Sequence, residues 1–327
     1  IQMIFVLNKN QAYNTTHRKG KKQMGKLLVV GSLNMDTVIA VENIPKPGET
    51  ILAKDIDYIP GGKGANQAYA MAKLGAEVAM IGCVGEDENG QKLLDNLKSV
   101  SVDTTAIEVI KNQPTGVAFI AVEQTGENSI IVISGANFLL TRQWIEKQQK
   151  YIQNCDIVIA QLETPLESIC AVAELAKQNG KKMLLDPAPA PGKLPKQLLK
   201  NVSIIKPNET ELQLLTDMPT NTEQEIVLAA KQLLKQGVEQ VVVTVGERGA
   251  FLVTEQGYQK FPAKKVHAVD TTAAGDAFTA GLSIKLAQGC SMQEAISFAV
   301  AVSSVVVTKK GAQTSIPCYE EVCNIMK

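Results

Sequence analysis

Residues Ala268–Gly281 read AVDTTAAGDAFTAG, and the fold of the chain can be read outward from them. The residues just before and into it, Val266–Val269, predict the end of a strand. Ala273, Ala274 and Gly275 follow, too small to shield their own backbone. Asp276 then opens an apolar run, Ala277 to Leu286, at helical spacing. A helix start presents unpaired N–H groups and a partial positive charge. Small side chains let a phosphate approach those donors closely. Asp276 would stand beside that phosphate as a proton acceptor rather than as a ligand. The same letters also describe an ordinary strand-to-helix turn capped by Asp276. A cap, however, needs neither the run of small residues nor a second carboxylate, Asp270, on the strand side.

The 327 residues can hold one large α/β domain or two modest ones, and an apolar fraction of 45% supports a sizeable core. Lys plus Arg (33) balances Asp plus Glu (33), so there is no electrostatic footprint for nucleic acid or an anionic membrane. No apolar run approaches the ~20 residues of a membrane span. The six cysteines include no C-x-x-C pair and sit mostly in apolar runs, which suits reduced thiols in a cytoplasmic protein. His17 and His267 are too far apart in sequence to suggest a zinc site. His267 reads as solvated or packed, and Trp144 as packing in a helix over Gln143–Tyr151. Residues 1–24 are polar and basic beyond Leu7 and read as a flexible leader, with Met24 as a possible alternative start. Their apolar beginning is too short for a secretory signal, and a targeting role is the weaker alternative.

From Gly25 onward, apolar runs alternate with glycine, proline and polar punctuation. Lys26–Gly31 suits a buried parallel strand, with Asn34 and Asp36 beyond its carboxyl end. Thr37–Val41 and Ile51–Tyr58 predict two short strands around Pro45, Pro47 and Gly48. Gly61-Gly62-Lys63-Gly64-Ala65-Asn66 then leads into a helix over Gln67–Leu74; the Walker spacing is absent. Three glycines around one lysine suit close approach of backbone to a ligand better than a plain turn with a solvated lysine. Val78–Gly82 predicts a strand and Asn89–Leu97 a helix. Gly116–Val122 and Ser129–Ile133 predict a hairpin around Gln124–Glu127, completing a four-stranded lid within about 37–60 and 113–134. Such a lid would exclude water from a transfer reaction. Its apolar residues Val38, Ile39, Val117, Phe119 and Ile131 also suit a dimer surface.

After Gly135 the pattern is repeated strand and helix, as in βαβ units. Strands are expected at Ile157–Ala160, Lys182–Leu185, Ile204–Ile205 and Val241–Val245, with helices at Leu166–Lys177 and Ala295–Val307. Asn34, Asp36, Glu163, Asn208, Thr244 and Asp270 all fall just after apolar strands. One such residue is an ordinary turn residue; together they are better explained by one ligand cleft along a shared sheet edge. Asn208-x-x-Glu211 has the form of a capping box. Thr244–Gly249, TVGERG, is by its own pattern a glycine turn. Lys309 and Lys310 with Gly311 suit a helix C-terminus.

Two separate stretches resemble signatures of the ribokinase-like (PfkB) sugar kinases. GGKGAN over Gly61–Asn66 is similar to the family's N-terminal signature, and Asp270, Thr271, Ala274, Gly275 and Asp276 fit its anion-hole signature. The resemblance covers Gly25 to the C-terminus. It implies an α/β ribokinase-like three-layer fold: a mostly parallel central sheet flanked by helices, plus a small β-sheet lid. Gln161-Leu162-Glu163, Asn208-x-x-Glu211 and Lys310–Ser315 are most similar to the ribose-phosphorylating members. The implied reaction is transfer from ATP to the 5-hydroxyl of D-ribose, with Mg2+ as cofactor, K+ as activating cation and a homodimer formed through the lid.

The resemblance also implies roles, position by position. Asp276 is the base, and the amides of Ala273, Ala274 and Gly275 form the anion hole. Asn34, Asp36, Gly62, Lys63, Asn66, Glu163 and Asp276 bind the sugar. Asn208, Thr244, Gly246, Gly249, Gly275 and Asp276 line the nucleotide. Asp270, Ser315 and the carbonyls of Thr272, Val306, Lys309 and Gly311 hold the monovalent cation, and Glu211 reaches Mg2+ through water. Val300 departs from the pattern, since relatives commonly carry asparagine there, near the adenine. The rival expectations are a kinase of deoxyribose, a hexose or a nucleoside, and a non-catalytic sugar-binding regulator.

Overall fold

The computed structural model describes residues 25–123 and 127–326. The expected leader with His17, and the hairpin turn at 124–126, lie outside the described residues. The strands are β1 (Lys26–Val30), β2 (Asn34–Ala40), β3 (Asp55–Gly61), β4 (Glu77–Gly85), β5 (Ile107–Ile110), β6 (Gly116–Val122), β7 (Asn128–Ile133), β8 (Ile157–Ala160), β9 (Lys182–Leu185), β10 (Ile204–Ile205), β11 (Gln240–Thr244), β12 (Ala250–Thr254) and β13 (Gly257–Phe261). Nine of them form one sheet in the order β13-β12-β11-β10-β9-β8-β1-β4-β5, and the other four form a smaller sheet, β3-β2-β6-β7. The large sheet is parallel from β11 through β1 to β5 and antiparallel at the β11-β12-β13 edge.

The uninterrupted apolar strands have a physical cause: both faces of the large sheet are covered. Leu27 and Val29 point into one core, with Ala68 and Met71 of the Lys63–Lys73 helix, Leu282 of the Ala274–Ala287 helix and Val302 of the Met292–Val306 helix. Leu28 and Val30 point into the other, with Val172 of the Leu166–Gln178 helix, Leu212 of the Glu209–Thr216 helix and Ala230 of the Glu223–Lys235 helix. The three expected layers are present, and so is the separate small sheet. Among the described residues no helix is long and apolar enough to cross a membrane. Cys83 and Cys155 are buried free thiols, whereas Cys318 is exposed.

Several local expectations are corrected. Val266–Val269 is not a strand; Val269 is 60% exposed, and the N–H groups of Val269 and Asp270 reach the Val307 carbonyl (2.7 and 3.2 Å). Those donors are satisfied at a helix C-terminus instead of in a ladder, so β-propensity has no partner strand to act on. The strand expected over Thr37–Val41 begins at Asn34, so Asn34 and Asp36, beyond β1 as expected, lie within β2, paired to Gly61 and Ile59 of β3. That register begins the second lid strand at Asp55, leaving Ile51 and Leu52 outside it. The Gln143–Tyr151 helix is two short helices, Arg142–Lys147 and Gln149–Asn154, joined at Gln148. Trp144 sits on the first, its Nε1–H bonded to the Ala106 carbonyl (3.1 Å).

Candidate active site

Chain order reverses at β1: β4 and β5 lie on one side of it, β8 to β11 on the other. A crevice opens at such a switch point, beyond the carboxyl ends of the strands. Ser32, Gln161, Glu163, Asp186, Lys206, Asn208 and Thr244 all lie at or just beyond those ends. The loop after β1 carries the chain directly into the lid, and β3 returns it to Gly62 and the Lys63–Lys73 helix. Gly62 caps that helix at φ +87, and a Cβ there would fall 2.7 Å from the Asn34 backbone nitrogen. The helix therefore starts at Lys63, four residues earlier than expected.

The Ala274–Ala287 helix begins where the small residues are. Its N-cap is Ala273, in the left-handed region at φ 57, and not Asp276. No side chain caps it. The Ala274 N–H is turned to the Thr271 carbonyl (3.2 Å), and Ser303 ties down the Ala274 carbonyl (2.8 Å). Gly275 is exposed; the nearest atom to a Cβ built there is Lys206 Nζ at 3.9 Å. The mouth of the helix is thus open backbone with one cation beside it.

Asp276 is the third residue of the helix, only 7% exposed. Its Oδ2 accepts from Asn66 Nδ2 (3.2 Å) and its Oδ1 from Gln67 Nε2 (3.0 Å). Asn66 is held in turn by Gln313 Nε2 (3.0 Å), and Gln313 by Asn96 Nδ2 (2.6 Å). Asp186 is ion-paired to Lys206 (3.2 Å), with both side chains 4% exposed. Burial pushes the Asp276 carboxyl up to about 6, Lys63 opposes the shift, Asp186 adds to it, and the Gln67 and Asn66 hydrogen bonds oppose it.

The residues expected to hold the sugar do converge. Asn34 is buried, with Oδ1 accepting from Asn137 Nδ2 (2.8 Å). Glu163 Oε2 accepts from the Ser32 hydroxyl and from the Lys63 N–H (3.1 Å). Asp36 is pushed up to about 7 by burial, then by Glu163 and Asp276, so these three carboxylates share one space. Burial works against the charge on Lys63, but Asp276, Asp186, Glu163 and Glu211 outweigh it and raise its pKa. The lysine is a counter-charge of the cleft, together with Lys206.

Of the residues expected to line a nucleotide, Asn208 and Thr244 are bridged as neighbours at adjacent strand ends. Asn208 and Glu211 form both halves of a capping box (2.8 Å each). Burial, then Asp186, raises the Glu211 carboxyl, while Lys206, the Asn208 N–H and Lys63 oppose; the box therefore also faces the charged cleft. Gly246 and Gly249 flank a single 3-10 turn at φ +55 and +95. Val300 lines a cavity of about 200 Å³ with Phe261, Pro262, Lys264, Ser297, Ala301 and Met326.

Of the residues expected to hold a cation, Asp270, Thr272 and Gly311 are brought together. Asp270 Oδ1 accepts from the Thr272 N–H (2.9 Å) and hydroxyl (2.6 Å), and Oδ2 from the Gly311 N–H (2.8 Å). Burial favours protonation of Asp270, but those bonds and Lys310 hold it below the usual carboxylate range. The Val306 carbonyl accepts from the Lys309 N–H (3.0 Å), and buried Ser315 donates to the Ala312 carbonyl (2.7 Å). An ionised carboxylate, a hydroxyl and several carbonyls are a hard oxygen set, which fits a monovalent cation. Lys309 Nζ pairs with Glu321 (2.9 Å), and His267 is exposed.

Gln67, Gln161, Asp186 and Lys206 belong to this site without having been singled out as site residues. Asp186 and Lys206 carried the same strand-end signal as Asn208. Gln161 carried it too, directly after Ile157–Ala160 and within the Gln161-Leu162-Glu163 stretch, whereas Gln67 carried none, because a glutamine inside a helix has no local pattern.

The geometry is a cleft at the switch point of a parallel sheet, with a buried carboxylate in the first turn of a helix and a small separate sheet beside it. The sequence profile of the pfkB family carbohydrate kinases matches residues 24–318, and the chain belongs to that family. It is 42% identical to a ribokinase of Haemophilus influenzae over 92% of this chain and 98% of that protein. It is 37% identical to a deoxyribokinase of Salmonella typhi over 90% of this chain and 96% of that protein. The structure of Arabidopsis thaliana ribokinase complexed with ribose and ATP superposes with a TM-score of 0.88, at 36% identity, covering 93% of this chain and 99% of that one.

Proposed function

We propose that this protein transfers the γ-phosphoryl group of ATP to the 5-hydroxyl of D-ribose. One observation carries the reading: a buried carboxylate, Asp276, shares the first turn of a helix with open backbone and with Lys206 at its edge. Ribose is favoured by the three-carboxylate pocket of Asp36, Glu163 and Asp276, which suits a polyol, and by the ribokinase relatives.

Asp276 takes the proton of the sugar hydroxyl as the phosphoryl group arrives. A carboxylate with a pKa near 6 is ionised at neutral pH yet remains a weak base, so orientation matters more than basicity. The N–H groups of Ala273, Ala274 and Gly275 hold charge on the transferring group, and Ala274 must release Thr271 to do so. Lys206 adds a full positive charge beside them. Asn34, Asp36, Gly62, Lys63, Asn66 and Glu163 hold the sugar, with Asp36 taking paired hydroxyls. Asn208, Thr244, Gly246 and Gly249 line the nucleotide, and the Val300 cavity takes the base without a side-chain hydrogen bond from that position.

Mg2+ would come with the nucleotide, within reach of Glu211, and would neutralise phosphate charge. Among the described residues no cluster of three or more His, Cys, Asp or Glu side chains suits a metal. K+ would sit between the Asp270 turn and the 309–315 loop. It would act by stiffening the helix mouth, through Ser303 and the Thr272–Ala273 turn.

The deciding experiment is a panel of ribose, deoxyribose, hexoses and nucleosides at fixed ATP, read by coupled ADP release with and without potassium. Ribose should have the highest kcat/KM; ADP release with none of them would overturn the reading. In the same assay, K+ should raise wild-type turnover several-fold over tetramethylammonium, and Asp270→Ala should abolish that response. An undiminished potassium effect in the variant would remove Asp270 from the cation site.

The small sheet leaves Ile131 66% exposed, with Phe119 opposite it and Ile133 two residues on, all on one face. An apolar sheet face of this kind suits a second copy of the chain. Ile131→Glu should convert a dimer to a monomer in sedimentation velocity. A wild-type protein that sediments as a monomer would refute the dimer.

A further inference from the structure

Gln67 is fully buried, and its amide touches three side chains. Nε2 lies 2.9 Å from Asp186 Oδ2 and 3.0 Å from Asp276 Oδ1. Oε1 accepts from Gln161 Nε2 at 2.6 Å. One NH2 group therefore bridges two carboxylates, using both of its protons. The two carboxylates decide which way the amide faces, and Gln161 braces it by donating to its oxygen. If Gln67 were reversed, its carbonyl oxygen would oppose two carboxylates and its NH2 would oppose that of Gln161. Gln161 is itself fully buried, and its own Oε1 has no partner, so it is held in place by packing against Gly31 and by this one bond. A buried amide with an unsatisfied acceptor is unfavourable, which makes its placement here informative.

Asp276 and Asp186 would otherwise be neighbouring like charges in a dry space. The charged groups that face Asp276 are Asp36 from β2, Lys63 from its helix, Glu163 beyond β8 and Asp186 beyond β9, with Lys206 behind Asp186 and Glu211 at the start of its helix. Of the groups that favour ionised Asp276, Gln67 alone also touches Asp186.

We propose that Gln67, braced by Gln161, is a positioning residue that keeps Asp276 ionised and aimed at the helix mouth by placing an amide between it and Asp186. This rests on the reading of Asp276 as the proton acceptor. It predicts a change in pH dependence, because a lost hydrogen bond to an ion favours the protonated form. Asp36, itself near 7, titrates in the same window, so the acid limb belongs to the group and not to one residue. A difference between variants is the proper readout.

The test measures kcat and the ribose KM between pH 5 and 9 for wild type, Gln67→Met, Gln161→Met and Asp276→Asn, with folding checked by circular dichroism. Gln67→Met should move the acid limb of kcat upward by about one pH unit, as expected when a hydrogen bond to an ion is lost. Turnover should fall at pH 6 and recover toward wild type at pH 9, with little change in ribose KM. Gln161→Met touches neither carboxylate; it should shift the limb the same way by less, and it carries the test if Gln67→Met does not fold. An unmoved acid limb in the folded variants, or a loss of kcat uniform in pH, would overturn the proposal. If Asp276→Asn turns over at a near-normal rate, the proton-acceptor reading itself fails; if that variant is inactive and the limb is unmoved, only the role of Gln67 fails.

Discussion

Asp276→Asn is expected to bind ribose and ATP nearly as well as wild type and to lose about 10²–10⁴ in turnover, the usual scale of general-base help. The asparagine fills the same volume but cannot take a proton. Coupled ADP release measures the loss, and near-normal turnover would remove Asp276 from its role. The same change should alter stability with a definite sign. The folded carboxyl has a pKa near 6, above the ordinary aspartate value of 3.8. Its contribution is therefore fully present below pH 3.8 and is lost as pH rises through 6. By pH 8 the ionised group costs about 3 kcal/mol. Asparagine avoids that cost but leaves either Gln67 or Asn66 donating toward an NH2 group, so the net gain is smaller. Melting curves of the ligand-free proteins should show the variant more stable at pH 8, with the difference vanishing at pH 4.

Lys206→Met should be the most destabilising single change in the cleft. It leaves Asp186 buried and charged with only Gln67 and Thr279 as partners. Removing one member of a buried ion pair costs about 3–5 kcal/mol. Replacing both members by apolar residues of similar volume is often neutral, so Asp186→Leu added to Lys206→Met should recover most of the stability in urea denaturation. Turnover should stay low in the double variant, because no cation then stands beside Gly275. Recovery of turnover along with stability would give Lys206 a structural role only.

Both predictions concern residues that differ in how visible they were beforehand. Asp276 was marked by its neighbours in sequence: small residues ahead of it and an apolar helix behind. The strands Ile157–Ala160, Lys182–Leu185 and Ile204–Ile205 were equally plain, because a strand buried on both faces must be apolar at every position. Lys206 was visible only as a strand-end residue, and its partner Asp186 as another. Their pairing depends on two strands lying side by side. Val266–Val269 shows the reverse error. Its residues have strand propensity, but its hydrogen bonds go to the end of a helix contributed by residue 307.

The sequence by itself determined the layered α/β architecture, the small lid sheet and the helix mouth around Ala273–Asp276. Each of these follows from the order of apolar, small and turn-forming residues within a dozen positions. Tertiary structure alone decided that Asn34 and Asp36 belong to the lid, and that residues from positions 66, 67, 161, 186, 206 and 276 meet in one buried network. Such a network is held by charge and hydrogen bonding across distant parts of the chain. Those forces act through space, and short-range patterning carries no record of them.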